Sequence, residues 1–201
     1  MNRHIDFYFD FSSPYGYFAS TRIEALAAKY GRTVKWHPLL LGVVFKTTGG
    51  IPLTQAPMKG KYAFHDFDRT ARFHGIPYQR PDTFPLPTQF AARAMLWIRQ
   101  AHGDDLAVEF AKAVYRAYFF EGLNISVTES VASVVAAVGL DAATVTEAAN
   151  SEPVKERMKK EMDTAMGLGV FGSPFTIVDG EPFWGFDRFY QIEEYLKNGK
   201  I

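Results

Sequence analysis

The sequence contains no cysteine. Disulfide staples, a thiolate nucleophile and thiolate metal ligands are therefore excluded together. This agrees with a reducing compartment. A charge of one sign is also lacking, since Lys+Arg and Asp+Glu are both 22. No block of like charge appears, so neither nucleic acid nor an anionic membrane surface is an expected partner. Long hydrophobic runs are missing too. The longest, near Val131 to Leu140, falls well short of the about 20 residues a bilayer requires. The first residues, Met1 to Asp6, hold no apolar stretch of signal-peptide length. A soluble, cytoplasmic protein without a membrane partner is the expectation. The five histidines, at 4, 37, 65, 74 and 102, show no ligand spacing, so no metal is expected.

Apolar residues make up 47% of the 201, enough to bury a core and too many for a disordered chain. Ile5, Phe7, Phe9 and Phe11 alternate with His4, Asp6, Tyr8 and Asp10, so residues 3–11 read as a strand. Ser12-Ser13-Pro14 then signals a helix start, and Gly31 its end. Thr33 to Pro38 alternates again. Strand, helix and strand within such a length form a βαβ unit with parallel strands.

Residues 42–60 hold several Gly and Pro and read as a loop. Residues 61–74 read as a helix, with Phe64, Phe67 and Phe73 as an aromatic core stripe. Residues 78–88 are Pro-rich and irregular. Two helices follow, on Phe90, Ala94, Met95 and Ile98, then on Leu106, Phe110, Val114 and Ala117. Ser126 with Glu129 has the spacing of a capping box before a helix on Val131, Val134, Val135 and Val138. Ser151 opens a further helix that Gly167 stops. Phe175 to Val178, the turn Asp179-Gly180 and Pro182 to Trp184 read as a hairpin. A last helix is expected from Asp187 to Leu196. The order βαβ, helices, ββα predicts an α/β thioredoxin-like fold with a large all-helical insertion. Residues 1–44 plus 169–201 would form the thioredoxin-like part, and 45–168 the insertion.

Three short segments carry chemistry. Ser13-Pro14-Tyr15-Gly16 lies at the first strand–helix junction, where thioredoxins carry Cys-x-x-Cys. Free N–H groups there favour an anion. Ser13 either only caps the helix or donates its hydroxyl to an incoming thiolate; without an adjacent base it is a poor nucleophile. Pro174 either simply starts a strand or is a cis-proline facing that turn, in which case Ser173 offers its backbone to a peptide-like ligand. Trp184-Gly185-Phe186-Asp187 either supplies a routine N-cap through Asp187 or meets the charged end of such a ligand. Lys59 and Tyr62 either reach an anionic substrate or form a solvated helix start.

Taken together, these segments resemble the kappa-class glutathione transferase and 2-hydroxychromene-2-carboxylate isomerase branch of the DsbA-like thioredoxin fold. The resemblance runs through Phe7-Tyr8-Phe9-Asp10-Phe11-Ser12-Ser13-Pro14-Tyr15, Pro38 to Lys46, Lys59-Gly60-Lys61-Tyr62 and the two C-terminal segments, in order along essentially the whole chain. It implies glutathione as cofactor, with its thiol at Ser13, its cysteinyl backbone at Ser173 and Pro174, and its γ-glutamyl end at Trp184, Gly185, Phe186 and Asp187. It implies an aromatic small-molecule substrate near Lys59 and Tyr62, a homodimer, and glutathione-dependent isomerisation of 2-hydroxychromene-2-carboxylate in aromatic degradation. Two positions depart from the pattern. Gly50 falls in the loop where relatives carry asparagine, and Phe186 stands where they carry Ser or Asn. A kappa-like glutathione S-transferase and, in a different class, a non-catalytic binding module are the alternatives. The missing cysteines exclude disulfide exchange.

Overall fold

The computed structural model describes residues 4–201. Arg3, where the alternating run begins in sequence, lies outside the described residues. The first strand, β1 (His4–Phe9), occupies the middle of a four-stranded sheet of order β2-β1-β3-β4. Its neighbour β2 (Thr33–Pro38) runs parallel to it. On the other side β3 (Phe175–Val178) and then β4 (Glu181–Trp184) run antiparallel. Asp179 and Gly180, both at positive φ, close the β3–β4 hairpin.

The alternation in β1 marks one face of this sheet. Ile5, Phe7 and Phe9 are fully buried, and Phe7 and Phe9 each meet the Trp36 ring edge-on. Burying each such aromatic contributes roughly 1.5–3 kcal/mol. Tyr8 is also buried, because the opposite face is covered as well. There it packs with Leu39, Met158, Met162 and Phe175. Asp10 lies just beyond the strand, in the turn where residue 11 had been expected to continue it.

Two helices, α1 (Pro14–Ser20) and α2 (Ile23–Lys29), stand where one was expected; the chain breaks between them at Thr21 and Arg22. The segment expected to be a loop contains α3 (Leu41–Thr48) and a 3-10 turn (Leu53–Gln55). Its helix is nucleated from outside. The Asp10 carboxylate accepts the Leu41 N–H at 2.7 Å, satisfying a first-turn donor. A partner thirty-one residues away is invisible to local propensity.

Next come α4 (Lys59–His74), α5 (Gln89–His102), α6 (Asp104–Phe119), α7 (Thr128–Ala137), α8 (Ala142–Ala149) and α9 (Glu152–Gly167). Phe67 is buried, but Phe73 is 83% exposed, so it leaves the expected core stripe. Six residues past Phe67, it lies about 120° around the helix. The expected capping box is not formed. Ser126 instead bonds the Asn124 side chain through both N–H and hydroxyl, and Val127 occupies the N-cap. Helix α8 was not expected; the Asp141 carboxylate caps it by accepting the Thr144 N–H at 2.7 Å. Finally, α10 (Phe189–Asn198) starts later than expected, because a 3-10 turn (Phe186–Arg188) precedes it.

Candidate active site

The junction between β1 and α1 is held from three parts of the chain. Ser13 caps α1, its Oγ accepting the Gly16 N–H at 3.0 Å. The same Oγ donates to the Ser173 carbonyl at 2.9 Å. The Ser173–Pro174 peptide is cis. Ser173 thus reaches across to the turn, as the sequence expectation has it. Its hydroxyl oxygen accepts the Asp10 N–H at 2.9 Å. Among the described residues, the Ser173 N–H has no hydrogen-bond partner, and its carbonyl keeps one lone pair beyond the Ser13 bond.

Asp10 organises the turn. Its carboxylate accepts the Ser12 N–H at 2.7 Å, the Leu41 N–H at 2.7 Å and the Thr88 hydroxyl at 3.0 Å. Its carbonyl accepts the Ser13 N–H and the Tyr115 hydroxyl, each at 2.9 Å. Burial pushes this carboxyl above the usual range, and the three donors offset only part of that. Ser12 accepts the Leu86 N–H at 3.0 Å, tying in the Pro-rich stretch. Asp10, Ser12, Thr88 and Tyr115 were not singled out as site residues from sequence. The one available signal was an acidic residue closing an otherwise aromatic strand.

Gly16, the second motif position, is buried for a steric reason. A Cβ there would lie 2.6 Å from the Tyr115 hydroxyl and 2.9 Å from the Ser173 hydroxyl. No second side chain fits this turn as it stands.

Tyr15 carries the site outward. Its hydroxyl donates to Asp66 at 2.5 Å, Arg69 pairs with Asp66, and Arg69 also donates to the Tyr62 hydroxyl at 2.8 Å. Burial, then the Asp66 bond, holds the Tyr15 phenol far above its ordinary pKa, so it remains protonated. Burial of Asp66 works upward, but the bonds from Tyr15 and Arg69 outweigh it and keep the carboxylate ionised. Tyr62 is thereby linked to the Ser13 turn. Lys59 is exposed in the first turn of α4. Gly50 is exposed beyond α3, and among the described residues no hydrogen bond joins it to Ser13 or Ser173.

The remaining segment lies beside the cis-proline. The Gly185 N–H donates to the Pro174 carbonyl at 3.0 Å. Gly185 takes φ 111, a conformation glycine adopts without cost. Trp184 is 57% exposed, and its indole lies so close over Gly172 that a Cβ there would collide with it. Phe171 meets the same indole edge-on at 5.0 Å. Phe186 turns its ring inward, against Phe18, His74 and Phe189. Only its backbone is available to a ligand. Asp187 is exposed, pairs with Arg188 at 3.2 Å, and does not cap α10.

The sequence and the fold resemble those of several other proteins. A family model described as a DSBA-like thioredoxin domain matches residues 4–197. A protein from Sphingobium xenophagum named 2-hydroxychromene-2-carboxylate isomerase is 30% identical over 98% of this chain and 99% of its own length. Glutathione S-transferase kappa 1 of Caenorhabditis elegans is 27% identical over 96% of this chain and 90% of its own. A solved structure of a 2-hydroxychromene-2-carboxylate isomerase superposes with a TM-score of 0.86 at 27% identity, covering 96% of this chain and 94% of that one. The chain belongs to the DSBA-like thioredoxin family, in the branch that holds the 2-hydroxychromene-2-carboxylate isomerases and the kappa-class glutathione transferases.

Proposed function

We propose that this protein is a cytoplasmic, glutathione-dependent isomerase that converts 2-hydroxychromene-2-carboxylate to trans-o-hydroxybenzylidenepyruvate, or a closely related aromatic substrate, in aromatic degradation. The observation that carries this reading is the Ser13 hydroxyl, held at the first turn of α1 and aimed at the Ser173 carbonyl of the cis-proline segment. A hydroxyl at this position orients a thiolate and exchanges no disulfide. The relatives' names support both the cofactor and the reaction.

The residues present fit a γ-glutamyl-cysteinyl ligand. The unpartnered Ser173 N–H and the spare lone pair of its carbonyl suit pairing with the cysteinyl backbone, beside Pro174. The exposed Trp184 indole, the Gly185 and Phe186 backbone and the Asp187 carboxylate would meet its γ-glutamyl end, and Gly50 would approach it through backbone alone. When bound, glutathione would supply a thiolate nucleophile, the chemistry needed for a reversible isomerisation without net oxidation. The single Ser13 O–H would turn from the Ser173 carbonyl to the sulfur and stabilise that charge, while the Gly16 N–H would hold the Ser13 oxygen in place. Lys59 and Tyr62 would take the substrate carboxylate, with Arg69 fixing the Tyr62 hydroxyl. Residues 1–44 with 169–201 would hold glutathione, and 45–168 would close over the aromatic ring. A homodimer is part of the same reading.

The test is spectrophotometric chromene isomerisation with and without glutathione. Turnover that requires glutathione and falls tenfold or more in Ser13→Ala supports the proposal. No isomerisation at any glutathione concentration overturns it.

A further inference from the structure

We infer that Tyr115, a residue of α6 that lies outside the ligand-facing surface, is a positioning residue for the Ser13 hydroxyl. Its own hydroxyl fills the place of the missing second side chain of the turn and fastens the backbone that aims Ser13. This rests on the thiol-cofactor reading above.

Tyr115 is fully buried among Phe9, Phe11, Tyr17 and Phe119. A phenol in such surroundings needs a partner, and it has one in the Asp10 carbonyl at 2.9 Å. The Tyr115 and Ser173 hydroxyls both border the space over Gly16, 2.6 Å and 2.9 Å from where a Cβ would stand. Burial, reinforced by the nearby Asp10 charge, holds the phenol well above its ordinary pKa, so it stays a donor at all working pH values. A closed circuit results. Tyr115 donates to the Asp10 carbonyl, the Asp10 N–H donates to the Ser173 hydroxyl, and the Ser13 hydroxyl donates to the Ser173 carbonyl. The Asp10 carbonyl also accepts the Ser13 N–H. Both ends of the Ser13–Ser173 bond are therefore tied to the backbone of one residue, Asp10, and Tyr115 links the Asp10 carbonyl to α6.

The vacancy at Gly16 belongs to the same arrangement. A Cβ at Gly16 would press on the Tyr115 oxygen at 2.6 Å, and that oxygen sits on a ring packed on all sides. It cannot move aside cheaply. The helical segment thus replaces a second turn side chain with a hydroxyl of its own, which cannot form a disulfide but can fix geometry.

The experiment follows the ultraviolet absorbance of thiolate against pH for bound glutathione, in wild type, Ser13→Ala and Tyr115→Phe. Tyr115→Phe keeps the ring and removes only the hydroxyl. The expected result is a thiolate midpoint raised by about half a pH unit or more in Tyr115→Phe, in the same direction as in Ser13→Ala. Affinity for an analogue with alanine in place of cysteine should stay within twofold of wild type. An unmoved midpoint, or an equal loss of affinity for the thiol-free analogue, overturns the positioning role. Absence of any bound thiolate in wild type overturns the functional reading and this role together. A ligand-free cycle checks the spatial half. Gly16→Ala should lower the melting temperature, and adding Tyr115→Phe should recover part of that loss. Strictly additive losses would overturn the claim that the hydroxyl occupies this space.

Discussion

Ser13 and Ser173 are 160 residues apart in sequence, and the hydroxyl of the first donates to the carbonyl of the second at 2.9 Å. The bond joins the start of α1 to the cis-proline segment and sets which way the hydroxyl faces. Ser13→Ala removes both this bond and the α1 cap. The expected cost is about 1–2 kcal/mol of stability, with a larger proportional loss of glutathione-dependent turnover. Urea denaturation alongside the isomerisation assay measures the two effects separately.

Asp10 is a structural centre whose loss should be more severe. Asp10→Ala would leave the Leu41 and Ser12 N–H groups and the Thr88 hydroxyl without an acceptor in a buried site. Roughly 3–5 kcal/mol of destabilisation is expected. Asp10→Asn keeps one carbonyl acceptor and should cost about 1–2 kcal/mol. Denaturant midpoints for the two variants in that order are the check. Equal midpoints would contradict the hub role.

Gly172 is a place where a small change should act on one side chain alone. A Cβ at Gly172 runs into the Trp184 indole, which is exposed and free to swing outward. Gly172→Ala is expected to change stability by less than about 0.5 kcal/mol but to weaken glutathione binding about tenfold. Tryptophan fluorescence and a binding titration test the pair of outcomes.

A pH-dependent contribution arises on the far edge of the sheet. His37 lies 3.0 Å from Asp6 and 3.6 Å from Glu161, with its ring stacked on Tyr8. Burial pulls its pKa down, but the bonds to Asp6 and Glu161 outweigh this and hold it above the ordinary value. Glu161 is held low, chiefly by its bond to His37. The raised His37 stabilises the fold below about pH 6.5, and that contribution is lost as pH rises through its folded pKa. The depressed Glu161 stabilises above about pH 4.3 and loses its share as pH falls. The pair therefore contributes most between these limits. His37→Gln should flatten the fall in denaturation midpoint between pH 6 and pH 8 relative to wild type. An unchanged slope would contradict the pairing.

Much of the fold was legible because periodicity reports burial directly. The run Ile5, Phe7, Phe9 marked the central strand, and Asp179-Gly180 marked the hairpin. The Ser13-Pro14 and Ser173-Pro174 segments were legible for another reason, since proline and a capping serine constrain the backbone locally. What escaped depended on distant partners. Helix α3 owes its start to Asp10 across thirty-one positions, and Gly16 owes its missing side chain to Tyr115. The Phe186 ring, written in sequence beside the ligand segment, belongs to the core because His74 and Phe18 are brought beneath it.

The most direct measurement is a calorimetric titration of the purified protein with glutathione, repeated with Ser13→Ala and with an analogue carrying alanine in place of cysteine. Saturable binding that weakens about tenfold or more both in Ser13→Ala and for the thiol-free analogue is the expected result. No binding at millimolar glutathione, or binding indifferent to both changes, would contradict the placement of a thiol at Ser13.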